Sequence, residues 1–413
     1  MTMTGLMTYI LGNASPEAKA ARMHAISGQE WPVLLDEAKR HGLAPLLYRR
    51  IGSTGAQATV PAQDWGRLRT LYLKSLARNM KIYHEVKNVL RLLIDAGIPV
   101  IALKGAYLAE GVYGDIALRQ MGDVDLLVPK NRLGQARKAI MDGGYREQVE
   151  GEYSGIEAVC EISNHLMPLV GASGLVVEIH WTIENPMYPF RIDVDGLWER
   201  ATPVRVGGVE IQGLSPEDLV LHLCLHSAAH HGFENGFRGI CDIHQAIGAS
   251  MGAFGWTELV CRSRSWGVGR SISLPLYLAG KWFGSEIPGD VAEDFESHAD
   301  FAEMVAISER LLCGQAPGVS DNITRLWGDY GMSKKFRHLM KRLFPGKNEI
   351  AARYPVPADS ARIYAYYLVR LKDLIKRHGT PVLDQCLPGR SGRGGLARGV
   401  ERNKLKDWLF ALS

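Results

Sequence analysis

Between residues 15 and 95 apolar positions recur every three or four residues, the helical period. Trp31, Leu34, Leu35 and Ala38 make one such face, ended by His41-Gly42, and Pro45-Leu46-Leu47-Tyr48 opens the next. The Gly/Ser/Thr/Ala-rich stretch 51–60 reads as a loop. Residues 65–95 predict one long helix with Leu71, Ser75, Met80, Val86, Val89, Leu90 and Leu93 on its buried side, closed at Asp95-Ala96-Gly97. The pattern then changes. Apolar runs at 98–103, 123–128, 160–170 and 175–183 predict strands, with a helix over 131–142 and a hairpin turn at Gly171-Ala172-Ser173-Gly174. A turn that pairs Val170 with Leu175 sets Met167 opposite Glu178 and His165 opposite His180. From Ser215-Pro216-Glu217-Asp218, a helix-opening signature, the helical period returns and predicts helices over 256–266, 271–282, 301–313 and 360–377. The Gly- and Arg-rich stretch 387–402 reads as a mobile tail.

Composition narrows the class. At 413 residues the chain is long enough for two or three domains, at roughly 100–200 residues each. A net charge of +4 is too small to announce a nucleic-acid binder. Six scattered cysteines without a CxxC pair suit reduced, buried thiols, and no basic leader precedes the first apolar patch, so the expected location is cytoplasmic. No window approaches the length of an apolar membrane span. The one concentrated charge run, 334–347, holds six Lys/Arg and no acid and reads first as a solvated face.

Candidate chemistry lies in the strand region. Asp123 and Asp125 stand two apart in an apolar run, so a strand projects both from one face. Adjacent carboxylates repel and are costly to desolvate, and a divalent cation relieves both problems. An isolated Asp-x-Asp is equally a strand start whose second acid meets solvent. Two further features change the balance: Gly105 at a strand-to-helix turn, where backbone N–H groups can cradle phosphate, and Glu178, the one acid of a later apolar strand. Arg119, just ahead of the paired acids, is either a phosphate contact or their salt-bridge partner. His222, His226 and His230 share a helical face but span too much helix to hold one ion, which favours packing and hydrogen bonding over zinc.

Leu103-Lys104-Gly105, Arg119, Asp123-Val124-Asp125-Leu126-Leu127-Val128 and Glu178-Ile179-His180-Trp181 together resemble the nucleotidyltransferase superfamily with the polymerase-β-like fold. Within it the sequence is most similar to a bacterial family of uncharacterised nucleotidyltransferases, over about residues 31–284. The resemblance implies an α+β fold: a small mixed β-sheet core over 96–212, set between a helical region at 1–95 and a helical domain at 213–380, with a basic tail at 381–413. It implies Asp123, Asp125 and Glu178 as catalytic and metal-binding residues, Glu178 serving as third ligand or as base. Lys104, Gly105, Arg119, His180 and Arg238 are the implied nucleotide and phosphate contacts. The expected cofactor is Mg²⁺ or Mn²⁺, with an NTP, ATP first, as co-substrate. The implied reaction moves an NMP group to a hydroxyl or amine of a small molecule, peptide or saccharide, nucleic acid being compatible but not favoured. A kinase-like transfer at the same acids and a non-catalytic nucleotide- or peptide-binding relative are the alternatives. The chain departs from the superfamily pattern at the turn, where Lys104 and Ala106 flank Gly105 in place of the usual serine, and 17 residues separate Gly105 from Asp123.

Overall fold

The computed structural model describes residues 1–148, 155–250, 252, 254–314, 344–347, 350, 354, 356, 359–370, 372 and 390–411; within 390–396 it describes the backbone alone. The chain opens with four helices, α1 (Met3–Leu11), α2 (Pro16–His24), α3 (Glu30–Arg40) and α4 (Ala44–Ser53), followed by the long α5 (Ala62–Asp95). Ser15 caps α2 through its hydroxyl, with Pro16 in the first turn, where a missing N–H costs nothing. The face predicted for α3 is the one buried, as Trp31, Leu34, Leu35 and Ala38. Along α5 the expected side is buried at Ser75, Val86, Val89, Leu90 and Leu93, whereas Met80 is exposed because Asn79 and Tyr83 turn inward instead.

A seven-stranded sheet follows, in spatial order β3-β4-β5-β2-β1-β7-β6. Its strands are β1 (Ile101–Ala102), β2 (Asp123–Leu127), β3 (Arg146–Glu147), β4 (Leu169–Val170), β5 (Val176–His180), β6 (Thr202–Val206) and β7 (Val209–Gly213). Between β1 and β2 run α6 (Lys104–Tyr107) and a π-turn, Leu108–Val112; α7 (Leu133–Asp142) precedes β3, α8 (Ile156–Cys160) precedes β4, and α9 (Val194–Glu199) precedes β6. β1 pairs antiparallel with β2, while β2 and β5 run parallel with Asp125 opposite Glu178 and Leu127 opposite His180.

Strand alternation decides what each face does. Ala102, Val124, Leu126, Val177 and Ile179 face one way and form a core with α5 and α7. Asp123, Asp125, Glu178 and His180 face the other way. Further along that face Ile101, Leu103 and Leu127 join a larger helical core. The site therefore lies where the sheet meets the helical body.

The hairpin register is half as expected. Near the turn Val170 pairs with Val176, one residue off the expectation, yet His165 bridges His180 as expected. Three residues on one strand, 166–168, thus oppose two on the other, 178–179, a bulge at Met167-Pro168, where proline supplies no N–H to the ladder. The upstream part of the apolar run is α8 and turns instead of strand, its Cys160 side chain buried in the sheet-side core.

The helical body contains α10 (Pro216–Leu225), a second π-turn (His226–His230), α11 (Phe237–Ala249), α12 (Trp256–Trp266), α13 (Gly269–Phe283), α14 (Gly289–Glu296) and α15 (Phe301–Cys313). Ser215 caps α10, and Asp218 is held by Arg200 and Arg262. The stretch expected to be a mobile tail forms α16 (Arg390–Leu409), packed on α13, α15 and the second π-turn. Leu405 and Leu409 are fully buried there, and Trp408 donates to the Ala299 carbonyl at 2.7 Å, so core contact outweighs the helix-weakening glycines. The basic stretch 334–347 lies outside the described residues except for its last four, and the helix expected over 360–377 is described at 363–370 and 372.

Candidate active site

β1 is followed by Leu103, whose N–H donates to the Asp125 carbonyl at 3.0 Å and so ties the following turn to β2. Lys104 then adopts φ = 43°, a left-handed conformation unusual for a residue other than glycine. Gly105 comes next, where no side chain fits: a Cβ would lie 2.8 Å from Arg119 Nη1 and 3.0 Å from Met121 Cγ.

Asp125 is buried and receives two donors on one oxygen. Lys104 Nζ and His180 Nε2 each lie 2.9 Å from its Oδ1. Burial alone would raise its pKa, but Lys104 and the hydrogen bond and charge of His180 hold the carboxyl well below the usual range. Glu178 Oε2 lies 3.4 Å from the same imidazole, and that hydrogen bond together with the charge of His165 lowers Glu178 against the effect of burial. His180 is correspondingly raised, burial being outweighed by its bonds to the two carboxylates. Asp123, at the exposed start of β2, behaves oppositely: partial desolvation and the neighbouring Asp125 charge raise it. Three carboxylates crowded at a strand end, one of them driven toward its neutral form, suit a hard divalent cation. The donor set fits the metal that the resemblance implies.

Beside these acids is a cavity of about 360 Å³ between the sheet and the α10–α11 segment. Four cationic side chains line it, each from a separate element: Arg78, Lys104, Arg119 and Arg238. Arg119 does not pair with Asp123 or Asp125. Its guanidinium grips Asp242 of α11 at 3.0 Å and the Gln120 carbonyl at 2.8 Å, while Tyr113 donates to the same Asp242 at 2.7 Å. Arg238 is half-buried, with its pKa lowered by desolvation and by Arg119, and no hydrogen bond to it is formed among the described residues. A desolvated guanidinium of this kind calls for an anion.

Of the residues singled out from sequence, Lys104, Gly105, Arg119, Asp123, Asp125 and Arg238 line this cavity. Glu178 and His180 stand beside Asp125 on β5, and the His180 ring is turned onto the carboxylates. In the second π-turn the His226 and His231 Nε2 atoms lie 3.1 Å apart, and the His226 and His230 rings stack at 5.4 Å. Tyr113 and Glu184 emerge only in three dimensions, whereas Asp242 already stands four after Arg238 in the stretch that carries the family resemblance. Asp242 and Tyr113 anchor Arg119, a pairing whose partners lie more than 120 positions from each other in sequence. Glu184, 2% exposed, has its pKa pushed up to about 7 by burial, offset by the Asn185 N–H and by Lys104. Its position in a polar-looking turn gave no sign of that burial.

The family model described as "Uncharacterised nucleotidyltransferase" matches residues 27–284, more than half of the chain. The chain belongs to this family of nucleotidyltransferases. No curated protein matches it. Among solved structures, the solution structure of the antibiotic-resistance factor ANT(2'')-Ia aligns at 12% identity over 45% of this chain and 91% of that one, with a TM-score of 0.32. The family match spans the sheet, the paired acids, the cation-lined cavity and the helices through α13.

Proposed function

We propose that this protein is a divalent-metal-dependent nucleotidyltransferase that moves an NMP group from an NTP, ATP first, to a hydroxyl or amine acceptor, with release of pyrophosphate. The observation that carries this reading is the juxtaposition of Asp123, Asp125 and Glu178 with a cavity lined by four cationic side chains. Acids without cations suit a cation store, and cations without acids suit anion binding; phosphoryl chemistry needs both.

In this reading the triphosphate occupies the cavity, where Arg238, Arg78 and Lys104 balance its charge and Gly105 leaves room for Arg119 and Met121 beside it. Arg119, locked by Asp242, is a fixed positive wall. Asp123, Asp125 and Glu178 hold Mg²⁺ or Mn²⁺, which when bound neutralises charge developing on the transferred group. Glu178 completes the ligand set or accepts the acceptor's proton. A small molecule, peptide or saccharide suits the acceptor role. No helix of the described residues is long and apolar enough to cross a membrane.

The test is calorimetric and chemical. The full chain is expected to bind ATP in a Mg²⁺- or Mn²⁺-dependent way, and Asp123→Asn combined with Asp125→Asn is expected to remove that dependence. Unchanged metal-dependent binding in the double variant would place the site elsewhere. Product mass then separates nucleotidyl from γ-phosphoryl transfer through the group added.

A further inference from the structure

The donor atoms around Asp125 bear on which metal the site prefers, and the inference rests on the metal-dependent reading above. One ligand-type atom each from Asp125, Glu178 and His180 lies within 4.8 Å of the others, two carboxylate oxygens and an imidazole nitrogen. Mg²⁺ favours oxygen ligands and usually keeps several waters, whereas Mn²⁺ shares its preference for carboxylates and, as a first-row transition ion, accepts an imidazole nitrogen more readily. His180 is placed as a ligand would be. It is 1% exposed, fixed by β5, and its Nε2 points between Asp125 Oδ1 at 2.9 Å and Glu178 Oε2 at 3.4 Å. Behind it the buried Asn164 amide stands 3.3 Å from Nδ1. A ligating histidine needs its second nitrogen held by an acceptor, and a half-turn of that amide presents its oxygen.

A second observation points the same way from the helical side. His222 on α10 is 1% exposed, and neither ring nitrogen has a hydrogen-bond partner. The charges of Lys104, His180 and Asp125 all act on it. Buried polar groups are nearly always satisfied, so an imidazole without a partner among the described residues, within the field of Asp125, marks a place built around something more than the side chains themselves. Lys104, whose side chain is 14% exposed, reaches Asp125 on a long flexible stem and can turn to phosphate in the adjoining cavity.

We propose that Asp125, Glu178 and His180 form a mixed oxygen–nitrogen centre that takes Mn²⁺ in preference to Mg²⁺, with His180 Nε2 as a direct ligand. The test uses the full chain titrated with Mn²⁺ alone and with ATP, followed by electron paramagnetic resonance. Pulsed measurements are expected to show coupling of the bound Mn²⁺ to an imidazole ¹⁴N, and Mg²⁺ to displace Mn²⁺ only in large excess. His180→Gln is expected to lose the coupling and to weaken Mn²⁺ binding roughly 10-fold or more, the scale found even for residues behind the ligands. Bound Mn²⁺ without nitrogen coupling would overturn the inference and leave the metal-dependent reading standing, His180 then only positioning Asp125. No bound metal with or without ATP would overturn both.

Discussion

At the scale of single residues the site is a set of charges that hold one another in place. Arg119 and Asp242 show this most directly, since both are largely buried and each supplies the other's principal compensation. Removing one partner of a buried pair leaves an uncompensated charge, which costs about 3–5 kcal/mol, whereas replacing both by apolar groups is often close to neutral. Arg119→Met is therefore expected to lower the urea midpoint severely. Adding Asp242→Leu is expected to restore most of it, with Tyr113 losing its acceptor as the residual penalty. A double variant whose loss equals the sum of the two single losses would show that the pair is not coupled. The acids themselves were legible in the sequence, because period-2 alternation puts Asp123 and Asp125 on one face whatever surrounds them. So were Lys104 and His180, the partners of Asp125, whereas the partner of Arg119 was not. Asp242 lies on α11, and no local pattern announces which arginine it will meet; Glu184 likewise owes its interest to burial alone.

Among the elements, helices were read more accurately than strands. α12 and α15 have the limits their periodicity predicts, and the family motifs fall on β2 and β5 as expected. β4 is shorter than its apolar run, because a run of that length does not distinguish strand from buried turn, and a bulge shifts register without leaving a hydrophobic signature. α16 was misread for a related reason: glycine and arginine content describes what a segment prefers alone, whereas its helix is decided by the surface it covers. Trp408 tests that claim. It packs near Phe301 and stacks with Arg270, and Trp408→Ala is expected to cost about 3–5 kcal/mol, read as a fall in urea midpoint with the helical circular-dichroism signal kept. A change within about 0.5 kcal/mol would mean that α16 is peripheral.

On the scale of the whole molecule, two cores share one sheet, and several histidines are buried in the larger one. His41, His222 and His244 are each less than 5% exposed, and burial lowers them to about 4, 3 and 4. The unfolded chain takes up these protons as pH falls through about 6.5. The folded chain does so only near 4 or below, so their contribution is complete above pH 6.5 and is lost on acidification. Glu184, raised to about 7, acts in the opposite sense over the same window and offsets about one of them. These three histidines against Glu184 leave two net protons, about 2.7 kcal/mol of stability lost per pH unit, and His226, His230 and His231, which burial also lowers, add to the loss in the same direction. Urea midpoints are expected to fall steeply between pH 6.5 and 5, above the range where Asp125 and Glu178 titrate. A flat profile there would show that these histidines are solvated.

The left-handed backbone at Lys104 has a consequence of another kind. Any L-residue there bears strain of order 1 kcal/mol that glycine would relieve. Lys104→Gly is accordingly expected to be about 1 kcal/mol more stable than Lys104→Ala, although both lose the same ammonium group. A difference near zero would mean that the turn relaxes. The chain thus keeps a lysine at a position where its own backbone favours glycine, a cost in stability for which the proposed phosphate contact of Lys104 would account, in the segment that joins β1 to the cavity.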